Sequence, residues 1–131
     1  MNTSPLTKLC TDRKVTTTCE HLGMGRMNET DKQPMHHWRV TLRFEGRRTT
    51  VDFWQGLGHS AEPTAADVLS SLVLDASSYE NAGSFEAFVA DLGYDEDSRA
   101  AERVYKACGK MAPRVRKLLG EHFDAFAGAE H

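Results

Sequence analysis

The stretch that decides the fold is residues 38–54, which read WRVTLRFEGRRTTVDFW. Apolar side chains alternate with arginine and threonine from Trp38 to Phe44, which is the two-residue period of a half-buried strand. A Glu-Gly pair then supplies a tight turn, and a β-branched and aromatic run ends at Trp54. We therefore predict an antiparallel β-hairpin. Its apolar face must be covered, because an isolated hairpin is only marginally stable.

The residues after the hairpin carry the helical period that would cover it. Thr64 caps one helix, and Asp67 three residues later completes a capping-box variant. Ser84 caps a second helix, and a third begins at Asp97 or Ser98. Each segment has one apolar face, as expected of helices packed on a sheet.

The predicted fold class is α+β. An N-terminal arm and an antiparallel β-hairpin precede three to four α-helices packed on one sheet face. Pro113 is expected to kink or restart the third helix. Residues 1–35 show no clean periodicity, so we expect a poorly ordered arm there. Residues 36–127 are expected to form a single compact domain, which suits a chain of 131 residues.

Composition indicates an ordinary globular protein, with 40% hydrophobic and 27% charged residues. No apolar run approaches the ~18 residues that a membrane helix needs, and the N-terminus has no signal-peptide stretch. The chain has three cysteines, an odd number that favours reduced thiols over a disulfide framework. We therefore expect a cytoplasmic protein without membrane contact.

Charge is segregated along the chain, although the net charge is only −3. Residues 62–98 contain nine acids and no lysine or arginine, whereas residues 99–117 contain seven basic residues and one acid. Such segregation bears on binding partners more than on the fold. A block of spaced carboxylates suits a basic protein groove that normally holds nucleic acid, and an ordinary solvated helix surface has the same composition.

Several motifs resemble, in order, those of small uncharacterised proteins of bacteriophages, prophages and other mobile elements. They are VTLR at 40–43, VDFW at 51–54, PTAADVL at 63–69, SFE at 84–86, GYDEDSR at 93–99 and AERVY at 101–105. The resemblance covers about two thirds of the chain and leaves out the arm. Many small accessory proteins of mobile elements inhibit host defence, including the anti-CRISPR proteins, so the resemblance implies an anti-defence role.

We expect a non-enzymatic mobile-element accessory protein that binds and inhibits a host defence complex, such as a CRISPR effector, in the bacterial cytosol. Trp54 points away from Phe53 on its strand, so it is the aromatic anchor expected at such an interface. The open hairpin edge makes a homodimer a further expected arrangement, and no cofactor is expected. The expected acidic contact residues are Glu62, Asp67, Asp75, Glu80, Glu86, Asp91, Asp95, Glu96 and Asp97.

A small nucleic-acid-binding regulator is the first alternative. Basic residues spaced by four, three and four positions share one helix face, which suits phosphate contacts. The sequence pI near 6.0 argues against such a surface over the whole domain. The residues of this stripe are Arg99, Arg103, Lys106 and Lys110.

A metal-binding protein is the second alternative. The spacing Cys-x8-Cys-x-His near the N-terminus lacks the tight cysteine pair of a zinc knuckle. The acids at residues 95–97 lack the glycine and glutamate of an EF-hand loop, and helix capping explains them as well. We therefore predict no metal site. The thiol and imidazole residues concerned are Cys10, Cys19, His21, His36 and His37.

Catalytic motifs are missing from the sequence, which contains neither G-x-S-x-G nor H-E-x-x-H. Residues 56–60 include two glycines but no lysine, so they do not form a phosphate-binding loop. His59 lies beside Ser60, and adjacency alone assigns no nucleophile. We therefore expect the protein not to be an enzyme.

Overall fold

A computed structural model describes residues 4–25, 33–56, 58, 61–92 and 99–129. It shows a three-stranded antiparallel sheet, ordered β1-β2-β3, with α-helices before and after it. The predicted α+β class is therefore confirmed. The strands are β1 (Thr16–Gly25), β2 (Met35–Phe44) and β3 (Arg47–Gln55).

The predicted hairpin is formed by β2 and β3. Val40 pairs with Val51 and Phe44 with Arg47 across the antiparallel ladder. Glu45 and Gly46 between them both have positive φ, 49° and 78°, which is the conformation of a two-residue type I′ turn. Gly46 adopts it without cost, whereas Glu45 is a non-glycine residue held there by the hairpin.

The two faces of the sheet differ as the alternation predicts. Trp38, Val40, Leu42 and Phe44 are buried on the inner face. The opposite side chains form what we call the outer face, where most residues are exposed and the rest are half-buried. The outer face consists of Thr16, Thr18, Glu20, His37, Arg39, Thr41, Arg43, Arg48, Thr50, Asp52 and Trp54.

The N-terminal region differs from the predicted arm. Helix α1 (Pro5–Asp12) begins at Ser4, whose side chain accepts a hydrogen bond from the Thr7 backbone N–H. Leu6 and Cys10 of α1 are buried in the core, and β1 pairs along the length of β2. The prediction of a poorly ordered arm therefore fails for residues 4–25. Residues 1–3 and 26–32 lie outside the described part of the chain.

Helix α2 (Ala65–Ala82) begins and ends as its sequence predicts. The Thr64 hydroxyl accepts from the Asp67 N–H at 3.1 Å, and the Asp67 carboxylate accepts from the Thr64 N–H at 3.0 Å. This reciprocal pair is a capping box. Gly83, with φ of 73°, ends the helix in the left-handed conformation.

Three further helices follow α2, so four helices come after the hairpin, which is the upper number predicted. They are α3 (Phe85–Leu92), α4 (Arg99–Leu119) and α5 (Phe123–Gly128), with a 3₁₀ turn at Gly120–His122. Helix α4 is continuous through Pro113, so the proline does not restart it. The predicted start at Asp97 or Ser98 lies outside the described residues.

The core has two connected parts. The larger one lies between the inner face of the sheet and helices α1, α2, α4 and α5. The smaller one joins α3 to α4 through Phe88, Val89, Ala101 and Cys108. The Tyr79 ring packs against both parts, so it connects α3 to the rest of the molecule.

The hairpin turn is tied to the end of α4 by Arg47. Its Nε donates to the Leu118 carbonyl at 2.9 Å, which satisfies one of the free carbonyls at the helix C-terminus. Gly120 beside it has φ of 56°, and a Cβ there would lie 3.4 Å from Arg47 Nη2. The left-handed conformation of Gly120 therefore ends α4, and the guanidinium packs against this residue.

Candidate functional site

Trp54 lies on the outer face, opposite Phe53, and is half-buried. Its ring stacks on His37, with the centroids 3.9 Å apart and the planes 5° from parallel. His37 is held in turn by a hydrogen bond between its Nε2 and Asp52 Oδ1 at 3.1 Å. Gly25 of β1 packs beside the indole, since a Cβ there would lie in ordinary van der Waals contact, 3.5 Å from the Trp54 ring. The indole is thus fixed before any partner binds.

A groove of about 640 Å³ runs beside β3. The five consecutive residues 50–54 of β3 line it, together with Leu72 and Asp75 of α2 and Val104 and Met111 of α4. Successive strand side chains point to opposite faces, so a groove that touches all five must follow the strand's edge. We call this feature the β3 groove. Trp54 stands at the border between it and the outer face.

A smaller cavity of about 380 Å³ lies between α1, β3 and α2. Gln55 lines it beside Leu6 and Asp67, and the Gln55 Oε1 atom is buried without a hydrogen-bond partner in the described part of the chain. Asp67 already serves in the α2 capping box. The cavity therefore offers an acceptor for one donor but no group placed for catalysis.

The acidic residues of the predicted contact surface are spread over several elements. Asp67 caps α2 at one end, and Glu80 near the other end accepts from Arg116 Nε at 3.1 Å. Glu62 lies in the loop before α2, and Glu86 is exposed in the first turn of α3. These four carboxylates lie on different parts of the structure, and two of them are already engaged in local contacts, so they do not form one patch.

Of the remaining predicted acids, only the Asp75 side chain lies in the described part of the chain. Asp75 is half-buried in the β3 groove, and burial raises the pKa of its carboxyl. The Asp91 side chain lies outside the described residues, as do Asp95, Glu96 and Asp97.

The predicted basic stripe is present on α4 and continues beyond its predicted end. We call the exposed cations that follow one another at spacings of three or four residues along this helix the α4 cationic face. Lys106 Nζ lies 2.8 Å from Glu102 Oε1, an i,i+4 ion pair on the surface. The Arg99 side chain is outside the described residues. The described members of the α4 cationic face are Arg103, Lys106, Lys110, Arg114 and Lys117.

The cysteines and histidines considered for zinc do not meet at one point. Cys10 is buried in α1, and Cys19 donates to the Pro63 carbonyl at 3.6 Å. His21 Nε2 and His36 Nδ1 lie 3.0 Å apart, whereas His37 projects from the outer face. Within the described ranges, no three histidine, cysteine or carboxylate groups are placed to hold a metal ion.

All three thiols have a raised pKa. Burial raises the pKa of Cys10 to about 11, and burial together with the charge of Asp75 does the same for Cys108. Burial, followed by a hydrogen bond with Glu62, raises the pKa of Cys19. A thiol that stays protonated is a poor nucleophile, so this environment does not activate any of the three.

His59 and Ser60, considered as a nucleophile pair, lie outside the described residues. Across the described helices, none is both long and apolar enough to pass through a membrane.

No protein-family model, no curated protein and no solved structure matches this chain.

Proposed function

We propose that the protein is a non-enzymatic binding protein that inhibits a host defence complex, such as a CRISPR effector, by direct protein–protein contact. Its resemblance to small proteins of phages and other mobile elements supports the anti-defence role and the cytosol of a bacterial host. The observation that carries the contact mode is Trp54, half-buried at the border of the β3 groove.

Trp54 has the properties of an interface anchor. Tryptophan is enriched among the residues that dominate binding energy, especially beside concave and well-packed surfaces. The stacking on His37 fixes the ring in advance, so binding would cost little side-chain entropy. A partner that covers Trp54 would also enter the β3 groove, which offers both apolar and charged contacts.

The acidic residues have a lesser part in this proposal. Glu80 already has a cationic partner, and Asp67 caps a helix. Exposed carboxylates such as Glu62 and Glu86 would lie at the rim of an interface, where charge affects the association rate more than the affinity.

The test is phage plating on bacteria that carry one defence system at a time, with and without the protein. We expect plating to be restored against at least one CRISPR type, and Trp54→Ala to abolish the restoration. Leu74→Ala is the matched control, because Leu74 is a large apolar residue, 60% exposed, on another surface. Loss of every effect in the panel would reject the anti-defence role, and full activity of Trp54→Ala would reject the anchor.

A nucleic-acid-binding regulator is the second candidate, and the α4 cationic face favours it. In the portion of the chain that is described, Lys110, Arg114 and Lys117 have no carboxylate within 4.0 Å. Phosphate contacts are strongest at low salt. A gel shift at low salt that Lys110→Glu/Arg114→Glu abolishes would favour this candidate, and no retardation at low salt would reject it.

A further inference from the structure

One edge of the sheet is open and regular. Among the described strands, the order β1-β2-β3 leaves β3 with a single neighbour, and its pairing with β2 runs over nine residues without a register shift. The other edge strand, β1, is interrupted by a shift between His21 and Gly23. Such irregularities protect sheet edges from further pairing, so β3 is the edge better suited to receive another strand.

The turn geometry decides which backbone groups of β3 face outward. In a two-residue hairpin, the pair that flanks the turn exchanges both of its hydrogen bonds, and bonded and non-bonded pairs then alternate. Phe44 and Arg47 flank this turn. Residues 48, 50, 52 and 54 therefore direct their N–H and C=O groups away from β2. No hydrogen bond from the described residues reaches these groups beyond the ladder.

The β3 groove lies along this open edge. Val51 and Phe53 contribute to its inner side, and Met111 of α4 stands across from them. These side chains provide an apolar surface that an added strand could cover with every second residue. An extended peptide could thus bond to the outward backbone groups of β3 and cover the apolar side of the groove at the same time.

The charge of the groove indicates the sign of that peptide. Lys110 and Arg114 line the groove from α4. In the described residues, neither of these two cations has a carboxylate within 4.0 Å. Asp52 and Asp75 also line the groove, but neither lies within 4.0 Å of Lys110 or Arg114, so the two cations are available to the carboxylates of a partner.

We propose that the β3 groove binds an extended acidic segment of a partner protein, which adds to the sheet as a strand beside β3. The segment's backbone bonds to residues 48, 50, 52 and 54, and its carboxylates pair with Lys110 and Arg114. The identity of the partner rests on the proposed function, whereas the binding of the segment does not.

The probe for this site is a fluorescein-labelled peptide of alternating glutamate and valine, about eight residues long to match a typical strand. Fluorescence anisotropy with the purified protein should show saturable binding that weakens as salt is added. A lysine–valine peptide of the same length should not bind. Equal binding of the two peptides would overturn the proposal.

Two variants test the backbone and the charge separately. Thr50→Pro removes an outward N–H without breaking a bond to β2, and edge strands tolerate proline. Thr50→Val keeps the N–H and is its matched control. Lys110→Glu/Arg114→Glu should weaken binding at least about tenfold, whereas Lys117→Glu, on the same helix outside the groove, should not. Undiminished binding by Thr50→Pro or by the double glutamate variant would reject the site.

Two other outcomes have a definite meaning. Light scattering that shows a dimer, dissociated by Thr50→Pro, together with no peptide binding would assign the edge to a second copy and overturn the proposal. Peptide binding is measured without a host, so it can succeed while phage plating fails. That result would reject the proposed function and leave the groove assignment standing.

Discussion

At the scale of single residues, the Thr64 side chain has one clear task, which is to begin α2. Its hydroxyl accepts from the Asp67 N–H at 3.1 Å. Thr64→Ala should therefore lower the free energy of unfolding by about 1 kcal/mol. Urea denaturation measures this change, and Thr64→Ser, which keeps the hydroxyl, should retain most of the stability. Equal losses in both variants would contradict the capping role.

The buried thiols should make stability depend on alkaline pH. The pKa of Cys10 and of Cys108 rises from 9.0 to about 11 in the folded protein, chiefly through burial. The folded state therefore holds these protons more tightly than the unfolded chain does. Their contribution is complete below pH 9 and is lost as the pH rises through about 11.

The measurement is urea unfolding at several pH values across that window. The wild-type protein should lose stability toward pH 11 more steeply than Cys10→Ala/Cys108→Ala, because the variant has no thiol to ionise at these positions. Parallel pH profiles would show that the two thiols do not contribute.

At the scale of secondary-structure elements, α4 accommodates a proline in its interior. Pro113 has no N–H for the Gly109 carbonyl, and its ring crowds that carbonyl. Pro113→Ala should raise the free energy of unfolding, by up to about 3 kcal/mol. Thermal denaturation checks this, with Arg114→Ala as a neighbouring exposed control expected to stay within about 0.5 kcal/mol. An unchanged melting temperature for Pro113→Ala would show that α4 is already relaxed around the ring.

The elements also show which patterns were readable from sequence. The β2–β3 hairpin and α2 were predicted because alternation and the capping box are local signals. β1 was missed because its inward positions Thr17, Cys19 and His21 are small or polar, so no apolar alternation marks them. Helix α1 was missed because eight residues with two buried side chains give too short a pattern.

At the scale of the whole molecule, the N-terminal residues belong to the core. Leu6 is 1% exposed among core residues of the sheet and α2. Leu6→Ala should therefore lower the free energy of unfolding by about 2–5 kcal/mol. Leu22→Ala is the control, because Leu22 is 38% exposed and should change stability by less than about 0.5 kcal/mol. A small loss of stability in Leu6→Ala would favour the prediction of a poorly ordered N-terminal arm.

Only part of the candidate site could be predicted from the sequence, because the rest depends on contacts between distant segments. Strand alternation alone placed Trp54 opposite Phe53. The β3 groove needs β3 and α4 to lie side by side, and residues 50–54 are far in sequence from Met111. No local sequence pattern predicts that these two distant segments pack together, so the groove can be identified only in the folded structure.

The contact between Arg47 and Gly120 makes these two positions interdependent in evolution. Gly120 has a φ of 56°, a conformation that other residues rarely adopt, and the guanidinium that bonds to the Leu118 carbonyl packs against this glycine. A residue other than glycine at 120 would favour a different backbone conformation there, which would move the Leu118 carbonyl away from the guanidinium and remove the reason to keep arginine at 47. Descendant sequences should accordingly vary at both positions together or keep both, and frequent independent drift at either one would refute this linkage.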